Sequence, residues 1–299
     1  MAFAEWAGIA APYDRSFGAL CACTVPELLR ELGSPGRLLD VGTGTGSVAI
    51  AAARAGWQVD AFDAEQSMID FARSRPALVD SGQPNAAGRL GEAEWRPGPA
   101  GRRIEPAETI RFTTATLPEL PYDDAAFDAA AANFAINHVD HPREGLAELR
   151  RVLKPGGRFA ATVWPWGKAP SATAVLWREI QDETGAYPPP GNRLPAGSDF
   201  DRSEAGLSAL FEECGFTGIR ARRVEFEWAV DADALWSGVE AGIALIGYAY
   251  RAADAATRRR MRAAYDARTP AFTGSDGLLH FPQAAVLAVG ARPAQASDS

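Results

Sequence analysis

Residues 38–50 read LLDVGTGTGSVAI, and this stretch decides the fold. A short apolar run leads into Asp40 and is followed by three glycines at alternating positions, Gly42, Gly44 and Gly46. Glycines there allow a tight turn and let a ligand approach bare backbone, where a Cβ would collide. A helical hydrophobic period begins directly after the last glycine. The stretch therefore predicts a buried strand, a ligand-binding turn and a helix, in that order.

The alternation of strand and helix continues on both sides of this stretch, at the spacing of βαβ units. It predicts a doubly wound α/β fold, with a seven-stranded, mostly parallel sheet, helices on both faces and added C-terminal helices. Residues 76–109 follow neither hydrophobic period, are rich in Gly, Pro, Arg and Glu, and are predicted to be a surface insertion. The predicted strands are 37–41, 57–62, 110–114, 127–133, 158–163, 219–228 and 284–291, and the predicted helices are 47–54, 63–73, 142–153, 172–184, 203–214, 232–246 and 253–268.

The bulk composition limits the classes of partner. The chain has 299 residues, 47% of them hydrophobic, and a formal net charge of -8 at pH 7. A net acidic chain has no long-range attraction for phosphate backbones, so no nucleic acid partner is predicted. The three cysteines lack a framework spacing, which predicts a reducing cytoplasm and no metal site. The N-terminus lacks signal-peptide features and no apolar run has membrane-spanning length, so no membrane insertion is predicted.

An acid about twenty residues beyond the glycine turn points to a nucleoside ligand. Asp63 ends the next predicted strand, where a carboxylate can accept hydrogen bonds from both hydroxyls of a ribose. The alternative is that Asp63 and Gln66 form a capping box for the helix that follows. A dinucleotide fingerprint starting at Gly42 and Gly44 would need a third glycine where Ser47 stands. The register therefore favours a ligand without a pyrophosphate.

Four segments carry a resemblance to a known family: LLDVGTGTGSVAI, VDAFDAEQSM, LPELPYDDAAFDAAAANFAINHV and ELRRVLKPGG. Together they resemble the class I S-adenosylmethionine (SAM)-dependent methyltransferases, and most of all the bacterial small-molecule enzymes similar to the ubiquinone/menaquinone C-methyltransferases. The resemblance implies a Rossmann-like fold with an antiparallel last strand, SAM as cofactor, and a single methyltransferase domain. The domain would comprise an N-terminal helical segment (1–36), a cofactor-binding core (37–164) and substrate-covering helices with the last strands (165–299).

The resemblance also implies which side chains at the carboxyl edge of the sheet hold the cofactor. The implied contacts are Asp40, Gly42, Thr43 and Gly44 for the methionine part, Asp63 for the ribose, Met68, Thr116 and Leu117 for the adenine, Asn133 for the sulfonium, and Tyr13 closing over the cofactor. The family often has an Asp-Ala pair where this chain has Thr116 and Leu117, so the contact with the adenine amino group carries no charge here. For Tyr13 the alternative is ordinary helix packing.

Groups for proton transfer and for acceptor binding are fewer. His138 matches a histidine common in the family's NHV stretch and is the candidate catalytic base. The alternative is that His138 caps or packs under the fourth strand. Trp164 and Trp166 follow the fifth strand, at the edge where α/β sheets bind ligands, and with Tyr187 they are candidates for the substrate pocket. The alternative is that the two tryptophans only pack the added helices.

The sequence thus predicts an enzyme that transfers a methyl group from SAM to an oxygen, nitrogen or carbon atom of a small-molecule acceptor. The acceptor class considered is an aromatic compound or a natural product of secondary metabolism. A non-methylating SAM-dependent enzyme of cyclase type and a cofactor-binding regulatory protein on the same fold are the alternatives. Asn133 begins an NFAI run without the prolines found in enzymes that methylate base amino groups, which again argues against nucleic acid. The predicted location is the cytoplasm, and a homodimer is the oligomeric state considered.

Overall fold

The computed structural model describes residues 6–75, 109–165, 171–189 and 198–294. Most of the predicted insertion and the candidate pocket residue Trp166 lie outside the described residues. Within the described ranges, no helix has both the length and the apolar character needed to cross a membrane.

Seven strands form one sheet in the order β3-β2-β1-β4-β5-β7-β6. They are β1 (Arg37–Val41), β2 (Gln58–Asp63), β3 (Ile110–Thr114), β4 (Phe127–Asn133), β5 (Leu153–Val163), β6 (Thr217–Val230) and β7 (Leu279–Ala291). The strands from β3 to β5 pair in parallel, and β7 is antiparallel to both of its neighbours. The predicted doubly wound, mostly parallel sheet with an antiparallel last strand is therefore confirmed. The chain reverses its winding direction between β1 and β4, whose carboxyl ends border the crevice in which such sheets bind ligands.

Helices cover both faces of the sheet. They are α1 (Ala10–Tyr13), α2 (Ala19–Ala22), α3 (Val25–Glu31), α4 (Ser47–Arg54), α5 (Gln66–Ser74), α6 (Pro142–Val152), α7 (Ala172–Thr184), α8 (Glu204–Glu213), α9 (Ala232–Glu240), α10 (Ala244–Ala252) and α11 (Ala255–Arg268). A π-helical turn, Asp14–Gly18, joins α1 to α2. One apolar core packs α6 and α8 on one face, and a second packs α3, α4 and α5 on the other. Because each helix presents an apolar stripe to the sheet, both faces of the parallel strands are buried.

Several predicted element boundaries are wrong. For example, β7 begins at Leu279 rather than at 284, and α5 begins at Gln66 rather than at 63. β5 begins at Leu153 rather than at 158, because Leu153 already pairs with β4 and the strand runs on through Gly156, whose φ is 78°. The helix predicted over 232–246 is two helices, because the chain turns at Gly242 with a φ of 84°. The errors in β5 and in the helix predicted over 232–246 occur at glycines in the left-handed region, where the backbone departs from the period of the side chains.

The N-terminal part of the chain packs against α9 over the carboxyl edge of the sheet. In the N-terminal segment, defined as residues 6–22, the Tyr13 ring lies 3.5 Å from the place of a Cβ on Gly44. Ser16 is fully buried and lies against Gly238 of α9 so closely that a Cβ there would come within 2.4 Å of the Ser16 Oγ. Only glycine permits this approach, so the N-terminal segment and α9 form one roof over the crevice.

Candidate cofactor and acceptor site

The turn after β1 presents bare backbone to the crevice. Gly42, Gly44 and Gly46 have φ values of 64°, 53° and 87°, all in the left-handed region. A Cβ on Gly42 would lie 2.7 Å from the Cβ of Ala135, so only glycine lets the turn approach the loop after β4. Gly46 lets the turn pack closely against α5, because a Cβ added at this position would lie 3.2 Å from the Cβ of Ala72. The turn is a cradle that any other residue type at Gly42 would fill.

Asp40 is buried beneath this cradle. The residue is 1% exposed, and its Oδ2 accepts a hydrogen bond from the Thr43 hydroxyl at 2.6 Å. A second bond comes from the backbone N–H of Ala49 on α4. Desolvation by burial raises the pKa of the Asp40 carboxyl to about 7, while these hydrogen bonds oppose the rise. Asp40 therefore braces the turn from within and changes its charge near neutral pH.

Asp63 ends β2 and faces the cradle. Its Oδ2 accepts from the Gly44 N–H at 2.8 Å and its Oδ1 accepts from the Glu65 N–H at 3.0 Å. Each oxygen keeps a lone pair for a further donor, as two ribose hydroxyls require. Desolvation raises the pKa of this carboxyl, and the backbone bonds lower it in part. The alternative that Asp63 and Gln66 cap the next helix is wrong, because Glu65 is the N-cap of α5 and accepts from the Ser67 N–H at 3.1 Å.

Tyr13 covers the cradle from the N-terminal segment. Its ring meets Trp6 edge to face, with centroids 5.4 Å apart and an interplanar angle of 87°. The Tyr13 hydroxyl is hydrogen-bonded with the Cys21 thiol, and desolvation by burial raises the pKa of Tyr13 well above its usual value. Tyr13 is thus brought to the glycine turn, and its contact with the cofactor stays a prediction.

An ion pair fastens the N-terminal segment to the cradle. Asp14, the neighbour of Tyr13, pairs with Arg75 at 2.9 Å, and both side chains are mostly buried. The same Arg75 guanidinium donates to the carbonyl oxygen of Thr45 at 3.1 Å. Arg75 therefore links the segment to the glycine turn, a contact that the sequence pattern did not indicate.

The residues implied for the adenine lie in two places. Met68 is 2% exposed and packs with Ile243 in a small cluster between α5 and the N-terminal segment. Thr116 is exposed and forms an isolated β-bridge with Glu119. Leu117 packs against the core around α6. Their contacts with an adenine ring stay predictions.

Asn133, at the end of β4, anchors the N-terminal segment. Its Oδ1 accepts from the Thr24 hydroxyl at 2.7 Å and from the Thr162 hydroxyl of β5 at 2.6 Å. Its Nδ2 donates to the carbonyl oxygen of Cys21 at 2.8 Å. Asn133 therefore connects β4 and β5 to the N-terminal segment at the crevice. Its contact with the sulfonium stays a prediction.

The loop after β4 contains the predicted base His138 and a second polar residue, Asn137, that was not predicted. His138 is exposed, and its ring meets Trp6 edge to face with centroids 5.5 Å apart. Its neighbour Asn137 carries a buried Oδ1 without a hydrogen-bond partner among the described residues. A buried acceptor beside the cradle suits a ligand that bears N–H donors. Only its place in the NHV stretch could have pointed to Asn137.

The aromatic candidates for the acceptor pocket separate in space. Trp164 stacks on Phe134, with centroids 3.9 Å apart and an interplanar angle of 14°. The Phe134 backbone has a left-handed φ of 54°, which is uncommon for a bulky residue. Tyr187 is 55% exposed and its hydroxyl donates to Asp182 at 2.6 Å, so these contacts keep it on the surface rather than at the crevice. Of the three predicted pocket residues, the structure brings Trp164 to the site.

The strand order, the glycine cradle after β1 and the acid after β2 define an α/β protein that binds a nucleoside cofactor. A family model described as a methyltransferase domain matches residues 13–220. The chain belongs to this methyltransferase family, and it is a class I SAM-dependent methyltransferase similar to the ubiquinone/menaquinone C-methyltransferases.

The chain is similar to curated relatives over part of its length. The chain is 34% identical over 123 residues to a demethylmenaquinone methyltransferase of Clavibacter sepedonicus, covering 41% of this chain and 39% of the relative. It is 34% identical over 131 residues to a ubiquinone/menaquinone biosynthesis C-methyltransferase of Geobacter sp., covering 43% and 45%. The matches span less than half of these relatives. The YcgJ protein of Bacillus subtilis superposes with a TM-score of 0.49 at 18% identity, over 93% of this chain and 99% of that one.

The residues present fit the SAM cofactor that the family uses. A Cβ on Gly42 would fill the cradle, Asp63 keeps two free lone pairs, and the Asn137 Oδ1 is a buried acceptor without a partner among the described residues. Donors on a ribose and on an amino acid moiety are what such groups can satisfy. Among the described residues, no group of three or more His, Cys, Asp or Glu side chains could hold a metal ion.

Proposed function

We propose that this methyltransferase acts on an oxygen, nitrogen or carbon atom of a small aromatic acceptor. The acceptor binds against the stacked rings of Phe134 and Trp164, beneath the N-terminal segment. The observation that carries this proposal is the position of the stack, which directly follows the carboxyl ends of β4 and β5, beside the glycine cradle. Flat apolar surfaces of this kind bind flat apolar ligands.

The surroundings of the stack support an apolar acceptor. Phe134 is buried together with Cys21 and Ala285, and Trp164 and Phe226 pack against this group. The roof above contributes Phe17, which packs against the same apolar cluster as Trp164. A site walled in this way limits access of water and so favours alignment of an apolar acceptor with the methyl group. We assign the covering of the acceptor to residues 165–299 together with the N-terminal segment.

The names of the relatives support a ring acceptor. The curated relatives are a demethylmenaquinone methyltransferase and C-methyltransferases of ubiquinone and menaquinone biosynthesis. Since the matches span less than half of those proteins, their acceptors come to this chain only as a chemical class. The acceptors of this chemical class carry an aromatic ring, which is the kind of group that the Phe134–Trp164 stack can bind.

The chain's residues have a limited chemical task. SAM, when bound, supplies a methyl group that its sulfonium has already activated, so alignment of the acceptor provides much of the rate. Tyr13 and the cradle hold the donor side, and the Phe134–Trp164 stack orients the acceptor ring. His138 is the proposed base for an oxygen or nitrogen acceptor, because it lies at the crevice edge with its ring against Trp6.

The experiment supplies methyl-labelled SAM with naphthylamines, naphthols or 1,4-dihydroxynaphthalenes kept reduced. These offer an amine nitrogen, a hydroxyl oxygen and an electron-rich ring carbon, and each loses a proton when the methyl group is transferred. We expect S-adenosylhomocysteine and a labelled product to appear together with at least one ring class. Trp164→Ala should then lower turnover at limiting acceptor by about 30-fold, since truncating a central aromatic contact costs about 2 kcal/mol. Cofactor affinity, measured by calorimetry, should stay within about twofold.

Trp177→Ala is the matched control. Trp177 is also partly buried and stacks on Tyr265 at an interplanar angle of 13°, but within the C-terminal helices. This variant should keep full turnover per folded molecule. Full activity of Trp164→Ala, or loss of cofactor binding before loss of turnover, would show that the stack is not the acceptor surface.

A further inference from the structure

Trp228, on β6, has a buried indole N–H without a hydrogen-bond partner. The residue is 1% exposed, and its Nε1 has no acceptor among the described residues. Trp236 offers a direct comparison, because it is equally buried at 2% exposure and its Nε1 donates to Glu240 at 3.1 Å. Buried indole N–H groups in folded proteins usually find a partner. The unpaired donor of Trp228 therefore calls for an explanation.

The sheet register places Trp228 on the same sheet face as Phe226, next to the proposed acceptor site. Trp228 pairs with Phe281, and Phe226 pairs with Gln283 two residues nearer the stack. Since side chains alternate between faces along a strand, these four lie on one face of the β6–β7 pair. Phe226 packs against the group that contains Phe134 and Trp164, and also against the cluster that contains Trp228. The wall is thus continuous from the Phe134–Trp164 stack to the indole.

The N-terminal segment reaches the same place from above. Phe17 lies four residues after Tyr13 and packs both with the cluster around Met68 and with the cluster around Trp228. The ring centroids of Phe17 and Trp228 are 6.2 Å apart. Trp228 therefore packs between the N-terminal segment that covers the cradle and the aromatic wall.

A second polar group on this wall is already satisfied. Gln283 is 8% exposed, and its Nε2 donates to the Thr173 hydroxyl at 2.8 Å. The Thr173 hydroxyl is also within 2.9 Å of the Ser171 hydroxyl. Among these described wall residues, Trp228 is the one with a buried polar side-chain atom that lacks a hydrogen-bond partner.

We propose that Trp228 is a specificity-determining residue, whose N–H donates a hydrogen bond to an oxygen of the methyl acceptor. This inference rests on the proposed function and narrows its acceptor class. An indole is a donor and cannot accept, so it selects a ring that carries a carbonyl or another accepting oxygen. It discriminates against the bare hydrocarbon, because the buried N–H then stays unpaired.

The first test uses the unaltered protein, saturated with S-adenosylhomocysteine, and two probes that differ in one oxygen. The probes are 1-tetralone, whose carbonyl can accept a hydrogen bond, and tetralin, which lacks it. We expect 1-tetralone to bind about three- to tenfold more tightly, the value of one neutral hydrogen bond in a buried site. The assigned indole ¹H–¹⁵N resonance of Trp228 should shift with 1-tetralone and stay in place with tetralin.

Two matched variants complete the test. Trp228→Phe should bind both probes equally, because it keeps a ring but removes the donor. Trp236→Phe, which removes an indole that already has a partner, should keep the preference for 1-tetralone. Equal binding of the probes to the unaltered protein, failure of both to bind, or a preference that survives Trp228→Phe would overturn the proposal. If Trp228→Phe does not fold, the indole resonance of the unaltered protein decides.

Cofactor binding separates this failure from failure of the proposed function. S-adenosylhomocysteine is titrated before either probe is added. Loss of that binding would contradict the methyltransferase assignment itself. Normal cofactor binding with equal affinity for the two probes would leave the enzyme assignment intact and overturn only the role of Trp228.

Discussion

Replacing Asp63 with alanine is expected to weaken binding of SAM or S-adenosylhomocysteine by about 2–3 kcal/mol, or roughly 30- to 150-fold. The carboxylate is placed for two charge-assisted hydrogen bonds to the ribose, since each oxygen uses one lone pair on the backbone of Gly44 or Glu65. Alanine would leave both hydroxyls without these acceptors. Calorimetric titration of the purified variant measures the effect.

Glu65→Ala is the matched control for this variant. Glu65 lies two residues further on and caps α5, so its loss should lower the free energy of unfolding by about 1 kcal/mol. Its side chain bonds the helix and not the cradle, so cofactor affinity should stay within about twofold. An Asp63→Ala variant that keeps its affinity would move the ribose contact to another residue.

The second large effect is a dependence of stability on the charge of Asp40. Burial raises the pKa of this carboxyl from the usual 3.8 to about 7 in the folded chain. Between about pH 4 and pH 7 the unfolded chain has lost this proton while the folded chain keeps it. The contribution of Asp40 to the free energy of unfolding is therefore most favourable below about pH 4. It falls as the pH rises to about 7, by roughly 4 kcal/mol in total.

Asp40→Asn removes the titrating group and should remove this fall. Urea unfolding of the cofactor-free protein from pH 4.5 to 7.5 would measure the free energy of unfolding for both forms. The free energy of unfolding of Asp40→Asn should increase relative to that of the unaltered protein as the pH rises. Asp123→Asn, at an exposed position before β4, controls for the loss of one negative charge. Parallel pH curves for Asp40→Asn and the unaltered protein would show that the Asp40 proton is not retained on folding.

Local patterns were enough to predict the strand–turn–helix units. β1, β3 and β4 begin and end at the predicted residues, because apolar runs bounded by turn residues leave little choice of boundary. The glycine cradle and the acid at Asp63 were predicted for the same reason, since their spacing along the chain fixes their spacing in the fold. The position of Trp164 directly after the fifth predicted strand placed it at the same edge.

Contacts between distant parts of the chain could not be predicted in this way. The ion pair of Arg75 with Asp14 joins residues that are far apart in the sequence. The hydrogen bonds of Asn133 likewise depend on the path of the N-terminal part of the chain. The unpaired indole of Trp228 is visible only once β6 and β7 are in register. Tyr187 was assigned to the pocket from its residue type, but it is exposed and bonded to Asp182. None of these contacts leaves a periodic signal in the sequence.

We expect this chain to bind SAM through the glycine cradle and Asp63. Calorimetric titration of the purified protein with SAM, S-adenosylhomocysteine and NAD measures this binding. We expect dissociation constants on the order of micromolar for SAM and S-adenosylhomocysteine and no heat of binding for NAD, because Ser47 stands where a dinucleotide turn needs glycine. Tight binding of NAD without binding of SAM would contradict it.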